Sequence, residues 1–314
     1  MAYLARRILE LIPTLLLVSL LVFGLMRVRG DDPVVIMLGP DATPELVVEV
    51  RRELGLDLPL PVQYARWMGG ILRGDLGRSL RTRERIIDMI GDRAPTTIYI
   101  AFTAIAFATL VGLITGFYSA ARRGRPADQG IMVGAILGLS VPSYLLALLL
   151  ILAFGVSWQL FPIAAFSVDL RREPLVAMRN LVMPMLSLGV GYAGLTARLA
   201  RSSLLEVLSA DYIRTARGKG LSNRRVMFKH ALRNAIIPVI TIATVNFVHL
   251  LAGAIIIEEI FGLPGIGALL IRSIFMRDFP VVQGVTLILS MVCMLGSLAS
   301  DLIYTIVDPR IRYQ

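Results

Sequence analysis

The chain has 314 residues, 56% of them hydrophobic, a mean hydropathy of +0.74 and a formal net charge of +10. Ordinary soluble domains hold roughly 45–50% apolar residues, so this composition argues against a water-soluble enzyme and makes a lipid bilayer the natural solvent. The single cysteine, Cys293, excludes an intramolecular disulfide, and with only two histidines there is no metal-ligand cluster.

A transmembrane helix needs about 20 predominantly apolar residues to cross roughly 30 Å of hydrocarbon. Six stretches meet or approach that length: Ile8 to Met26, Thr96 to Ala121, Gly130 to Phe154, Asn180 to Ala197, Ala235 to Ile257 and Phe279 to Ser300. The first, preceded by Arg6 and Arg7, reads as a retained span, because its apolar region is long and no small-residue cleavage site follows. Residues 28–95 then form a loop longer than a mere connection needs, which is expected to fold on the outer surface. Within it Thr43, Pro44 and Glu45 read as a helix cap, a first-turn proline and a dipole-compatible acid; Leu46, Val47, Val50 and Leu54 share one face and Gly55 supplies a stop. A second helix is expected from Pro61 to Leu72, ended by Gly74-Asp75-Leu76-Gly77, and Ile86, Ile87 and Ile90 make a third apolar stripe before Pro95. The fourth span is short and can continue helically past Arg198 by snorkelling.

With the N-terminus in the cytoplasm, the inside loops hold Arg122, Arg123 and Arg125, a cluster from Arg198 to Arg233, and Arg310 and Arg312. The short outside loops hold only Arg171, Arg172, Arg179, Arg272 and Arg277. That asymmetry follows the positive-inside rule, places both termini in the cytoplasm, and accounts for the net charge without a nucleic-acid partner.

A carrier driven by an ion gradient usually keeps ionisable residues within its spans, where their cost marks a coupling site. Here the middles of the spans lack Asp, Glu, Lys and Arg; their polar groups are mainly hydroxyls, together with Asn246, His249 and Gln283. A lone His within a bundle is more often hydrogen-bonded structure or a pore-lining group than a proton relay. The phosphate-binding pattern G-x-x-x-x-G-K-[ST] is also absent, since Lys219 is followed by Gly220 and position 213 is Ile. Any energy for active transport must therefore enter through another protein, and no catalytic residue is expected in this chain.

The largest inside loop, residues 198–234, reads as two short helices around Gly218-Lys219-Gly220-Leu221. Leu204, Leu205 and Leu208 give an apolar face, Asp211 to Ala216 continue as an amphipathic turn, and Ser222 and Asn223 begin a helix from Arg224 to Asn234, with Pro238 a turn into the next span. A basic helix, turn and helix can also be read as a DNA-binding unit, but both its ends are tied to nearby spans, leaving little room for a third supporting helix or a matched dimer.

At this loop the sequence resembles the EAA loop of bacterial ABC importer permeases, in which E-A-A, three residues, Gly and nine residues precede I-x-L-P. Arg214-Thr215-Ala216, Arg217-Gly218-Lys219 and Gly220 occupy those places, and His230-Ala231-Leu232-Arg233 falls where I-x-L-P would, so the spacing is kept while Arg214 and Arg233 depart from the letters. The string from Asp211 to Pro238 looks like the version found in the dipeptide and oligopeptide permease family. So do Arg52 to Asp57, Gln63-Tyr64, Gly74 to Gly77, Arg93 to Thr96, Ile260 to Gly267, Arg277 to Gly284 and Asp308-Pro309-Arg310, in that order along nearly the whole chain. The long first outer loop is similar to that of the first of the two paired permeases in such systems.

This resemblance implies an all-α integral membrane protein with six transmembrane helices in the type I ABC importer permease fold. Its parts are a cytoplasmic tail and first span (1–27), an extracytoplasmic loop domain (28–95) and a five-helix permease core (96–314). It implies a multi-pass subunit of the bacterial inner membrane that works with a homologous second permease, one or two ATPase subunits and an extracytoplasmic binding protein. The chain itself binds no cofactor; ATP and Mg belong to the ATPases. The family's coupling helix maps onto Ala210, Asp211, Tyr212, Arg214, Thr215, Ala216, Arg217, Gly218 and Gly220, with Gly218 and Gly220 making the turn. A solvated face or topological anchor is the plain alternative for each charge. Ser140, Asn246, His249 and Gln283 are candidates to line the translocation path, since a crossing peptide backbone needs hydrogen-bonding partners. Dipeptides or longer peptides are the expected cargo. A nickel chelate, glutathione or an opine on the same architecture, and an ATP-independent carrier or channel, are the alternatives.

Overall fold

Apolar runs of this length bury their backbone polar groups in helices, because lipid offers nothing else for them to bond. In the computed structural model, which describes residues 2–28, 33–38, 42–53, 55–164 and 172–307, the described residues form helices and connecting turns with one isolated β-bridge, Arg78 to Arg85. The helices in chain order are α1 (Ala2–Val28), α2 (Pro33–Leu38), α3 (Pro44–Glu53), α4 (Leu60–Leu72), α5 (Ile86–Ala121), α6 (Pro126–Ser140) and α7 (Ser143–Leu150), the last continued by a π-helix over Ile151–Ser157. After them come α8 (Pro174–Ser209), α9 (Asp211–Gly218), α10 (Asn223–Arg225), a second π-helix (Val226–Ala231), α11 (Leu232–Ala235), α12 (Ile237–Ile260), α13 (Ile266–Phe275) and α14 (Phe279–Val307).

Four helical stretches are long and apolar enough to cross a bilayer: Ile86–Ala121, Pro174–Ser209, Asn223–Ile260 and Phe279–Leu302. The expected third span is not straight. Its halves α6 and α7 meet at 99°, because Pro142 lacks an N–H and holds Val141 extended at φ −88°, ψ 119°. Counted as one broken span, the pair brings the total to five among the described residues; the expected first span lies in α1, whose described apolar part is Leu9–Gly24. One further expectation is corrected and another is met. The stripe at Ile86 is no separate helix but the first turn of α5, which runs through Pro95, and Ile87 lies exposed while Ile86 and Ile90 are buried. The fourth span does continue past Arg198, to Ser209. The Asp308-Pro309-Arg310 motif and Leu54 lie outside the described residues.

The chain divides into two compact units, residues 1–95 with 265–294 and residues 96–264 with 295–314. In the first, Phe23 of α1 meets Tyr64 and Trp67 of α4 at ring-centroid distances of 5.3 and 5.8 Å, and Ser19 Oγ shares a 2.7 Å hydrogen bond with the Tyr64 hydroxyl. Its apolar cluster gathers Leu76, Ile86, Met89, Ile90, Ile266, Leu269, Val281 and Val285. Buried Asp278 accepts hydrogen bonds from the Ser79 hydroxyl and, at 3.1 Å, from Leu80 N, pinning the turn before α5 to the turn before α14.

In the second unit α8 is central, with α6, α7 and α12 packed on it. Small residues let the backbones approach. A Cβ added at Gly116 of α5 would lie 2.4 Å from the Ala197 carbonyl oxygen, and one at Gly194 of α8 would lie 2.4 Å from that of Ala135 in α6. Such contacts are the usual glue where apolar side chains gain nothing by leaving lipid. An ion pair closes the same three helices: Arg201 of α8 donates from Nε and Nη2 to the two carboxylate oxygens of buried Asp128 in α6, at 2.7 and 2.9 Å, while Ser119 of α5 donates to the same carboxylate.

Candidate functional site

The loop between α8 and α12 owes its shape to one extended residue and one glycine. Ala210, at φ −69° and ψ 149°, ends α8 and starts α9, where Ile213 N and Arg214 N donate to its carbonyl at 3.0 and 3.3 Å. At the other end Gly220 takes φ +77°, its N–H donates to Arg217 O at 2.9 Å, and Leu221 N reaches Ala216 O at 3.4 Å. That is a Schellman cap, completed by Leu221 packing on the cluster that contains Ala216. Gly218, expected to share the turn, is instead an ordinary helical residue of α9 with open space around it.

The amphipathic period of α9 decides which residues face outward. Ile213 and Ala216 are buried with Leu204, Val226, Ala231 and Ala235. Asp211, Tyr212, Arg214, Thr215, Arg217, Gly218 and Gly220 are exposed, as is Lys219, and Ala210 is half-buried. Ala216, grouped with the coupling residues from the sequence, thus anchors the helix and offers no outer surface. Arg214 and Asp211 form an exposed 3.2 Å ion pair, of the kind that contributes at most about 1 kcal/mol. Tyr212 is steadied by Asn234, whose Nδ2 donates to its hydroxyl at 2.9 Å, and Ser203 Oγ of α8 donates to Ala235 O at 3.0 Å. The result is a two-turn helix held from beneath, with a mixed-charge face turned outward and joined directly to two membrane helices. The helix expected from Arg224 to Asn234 is present as α10, the second π-helix and α11, starting at Asn223.

The four path candidates are placed differently. Ser140 is exposed at the end of α6 and its hydroxyl donates back to Ile136 O at 2.9 Å. Asn246 and Gln283 are buried, and neither Asn246 Nδ2 nor Gln283 Nε2 has a hydrogen-bond partner among the described residues. His249 is exposed on α12 at the edge of a cavity of about 200 Å³, lined also by Val245, Val248, Ser297, Ser300 and Asp301.

Three acidic side chains escaped the sequence reading because helix ends were set too short. Glu258 is fully buried one residue past the expected end of the fifth span, where Thr97 Oγ1 donates to it at 2.6 Å. Asp301 sits in α14 one residue past the expected Ser300, and Asp128 in the first turn of α6 two residues before the expected Gly130. A charged residue directly abutting an apolar run was the available signal for Glu258 and Asp301, and one a residue further off for Asp128.

The family model described as "Binding-protein-dependent transport system inner membrane component" matches residues 108–313, and its N-terminal companion matches residues 1–101. A protein of Brucella abortus (strain 2308), named provisionally as a peptide transport system permease, is 41% identical over 312 residues, 99% of each chain. The glutathione transport system permease protein GsiC of Salmonella typhimurium is 39% identical over 315 residues, again 99% of each. Among solved structures, the MetNI methionine ABC transporter superposes with a TM-score of 0.58 at 18% identity, covering 71% of this chain and 97% of that one. A crystal structure of an amino acid ABC transporter with histidines superposes at 0.53 and 15% identity, covering 69% and 94%. These two likenesses give the fold, which is that of type I permeases.

Proposed function

We infer, from the premise that this chain belongs to the binding-protein-dependent transport system inner membrane component family, that as the permease subunit of an ABC importer it carries peptides into the cytoplasm. The observation that carries the reading is α9, a short helix braced on its apolar side by Ile213 and Ala216 and open on its charged side, set between two membrane helices. A separate ATPase docks on Asp211, Tyr212, Arg214, Thr215 and Arg217, with Ala210 and Gly220 setting the ends of the helix and Gly218 allowing close approach. ATP and Mg are held there and not here. A homologous second permease faces this chain across the path, an extracytoplasmic binding protein delivers the cargo, and both termini lie on the cytoplasmic side of the inner membrane. Closure of the ATPases on ATP moves α9 and switches the path from inward-open to outward-open, and hydrolysis resets it. Ser140, Asn246, His249 and Gln283 supply polar groups along that path.

Glutathione, itself a tripeptide, is the second reading of the cargo, favoured by the full-length likeness to the glutathione permease. The deciding experiment is a mild-detergent pull-down of the C-terminally tagged chain from its host, followed by mass spectrometry and ATP-dependent uptake of labelled dipeptide and glutathione in vesicles. Recovery of a second permease and an ATPase, with uptake of either cargo, is the expected result. A folded chain that comes down alone would sink the importer reading and favour a channel or carrier.

A further inference from the structure

The segment that follows α9 turns a second charged face outward, separate from that of α9. Between Asp211 and Glu258 the chain holds seven arginines and lysines and no acidic residue. Asp211 answers Arg214, but Arg224, Arg225 and Lys229 have no ion pair or side-chain hydrogen bond with any described residue. With Ser222 and Phe228 they line a surface cavity of about 410 Å³. Phe228 is 64% exposed, while Val226 and Ala231 of the same π-helix are fully buried. That buried side also fixes the level of the segment. Val226 and Ala231 pack in one cluster with Ala120, at the end of membrane-crossing α5 and just before Arg122 and Arg123. The segment itself opens the membrane-crossing stretch Asn223–Ile260. The cavity therefore lies where hydrocarbon gives way to headgroups and water.

We propose that this cavity binds the headgroup of an anionic phospholipid, with Phe228 set against the start of its acyl chains. A phosphodiester carries one negative charge on oxygens that only accept hydrogen bonds. The cavity meets it with two guanidinium forks and an ammonium, which only donate, and with a hydroxyl beside them. At about 410 Å³ the space takes a headgroup and leaves the acyl chains to the membrane. A soluble phosphate ester would meet the same cations, but it gives no use to an exposed aromatic ring at the hydrocarbon edge, where such rings sit with one side in lipid and one in water. Basic pockets where helices enter the membrane are places where anionic headgroups settle. An acidic protein surface reaching the same three cations would have to displace the headgroups already at that level. The same helical segment carries Asn234, whose Nδ2 donates to the Tyr212 hydroxyl of α9, so a bound lipid ties the support of α9 to the membrane surface. The proposal needs only that the chain crosses a membrane, and it does not rest on the importer reading.

The test titrates phosphatidylglycerol into the full chain, purified in mild detergent, and reads bound lipid by native mass spectrometry, with phosphatidylcholine, which has no net charge, as the comparison. The wild-type chain is expected to prefer phosphatidylglycerol by roughly tenfold or more. R224Q/R225Q/K229Q is expected to lose that preference, at about fivefold for each cation removed, whereas R122Q/R123Q/R125Q, the same change of charge beside α5, should keep it. F228A should weaken phosphatidylglycerol binding roughly tenfold, and glycerol 1-phosphate should compete only at far higher concentration than the lipid. Equal losses in the two triple variants, equal binding of the two lipids, no effect of F228A, or displacement by glycerol 1-phosphate at the lipid's own concentration would each overturn the proposal. So would a triple variant that keeps its lipid and loses an ATPase in pull-downs, which would mark the face as a protein contact. The comparison of the two lipids on the wild-type chain needs no variant, so it decides even where a variant does not fold. ATP-dependent uptake in vesicles, measured alongside, tests the importer reading separately.

Discussion

Replacing Gly194 by alanine puts the backbone contact between α8 and α6 to a quantitative test. The new Cβ would stand 2.4 Å from the Ala135 carbonyl oxygen and 3.1 Å from Ala135 Cα, while ordinary contact begins near 3.4 Å, so the two helices must part by about 1 Å. Helix propensity favours alanine over glycine by about 1 kcal/mol, and overpacking costs about 1–3 kcal/mol. Because the obstacle is a carbonyl and not the tip of a flexible side chain, the cost lies at the upper end, and the net is about 1–2 kcal/mol destabilising. For a unit of this size that corresponds to a melting temperature lowered by roughly 3–6 °C. The assay is a thermal ramp followed by fluorescence-detected size exclusion on the detergent-solubilised protein. G130A and G134A serve as controls, since a Cβ at either position of α6 meets nothing within 4 Å. A G194A protein that melts at or above the wild-type temperature, or controls that fall as far as it does, would refute the packing argument.

Breaking the Asp128–Arg201 pair with D128N leaves a guanidinium without its carboxylate and is expected to cost roughly 2–3 kcal/mol, less than a fully buried pair because Arg201 keeps some solvent. Membrane abundance and melting temperature read it out; the D128L/R201M double variant, with no stranded charge, should recover part of the loss, and a D128N protein as stable as wild type counts against the bond. The N246L variant removes a buried amide whose Nδ2 has no partner among the described residues, an arrangement worth about 1–3 kcal/mol of penalty. It should melt higher yet transport more slowly, and uptake at the wild-type rate would end the case for Asn246 on the path. G220A forces an L side chain to φ +77°, at about 1–2 kcal/mol, and should lower uptake per ATP hydrolysed while the protein stays in the membrane. G218A, at a helical position with open space, should keep normal coupling, and identical behaviour of the two variants would show that the cap is not what matters.

The spans were legible because a bilayer imposes a length, and a run of apolar residues either meets it or does not. Their ends were not, since a helix passes out of hydrocarbon without a compositional mark: α8 continues twelve residues' worth of polar and apolar chain beyond Ala197 to Ser209, and α12 and α14 carry Glu258 and Asp301 just past the expected limits. Pro142 and Pro95 show how little a proline says alone. The first breaks its helix and the second does not, although each removes one backbone donor from the ladder. The loop between α8 and α12 was readable down to its buried face, because Ile213 and Ala216 keep helical spacing with Leu204 behind them. The family spacing set Gly220 apart from Gly218, but both were assigned to the turn; the backbone shows that only the second is left-handed. The cavity at His249 was half visible, since a histidine in an apolar run stands out, whereas its partners came from a helix some fifty residues away that no local pattern ties to it.

The glycine contacts among α5, α6 and α8 also limit how this part of the molecule can change shape. Where side chains interdigitate, helices slide by exchanging rotamers in small steps. Gly112, Gly116 and Gly194 have no rotamers to exchange, and what each touches includes backbone carbonyl oxygens of the neighbouring helix. Relative sliding would bring those carbonyls into Cα atoms at once, so the three helices can only turn together, like a key blank cut from one piece. Any working stroke must then be absorbed where the chain is already out of helical register: the Val141–Pro142 break, the extended Ala210 that joins α8 to α9, and the turn at Gly220.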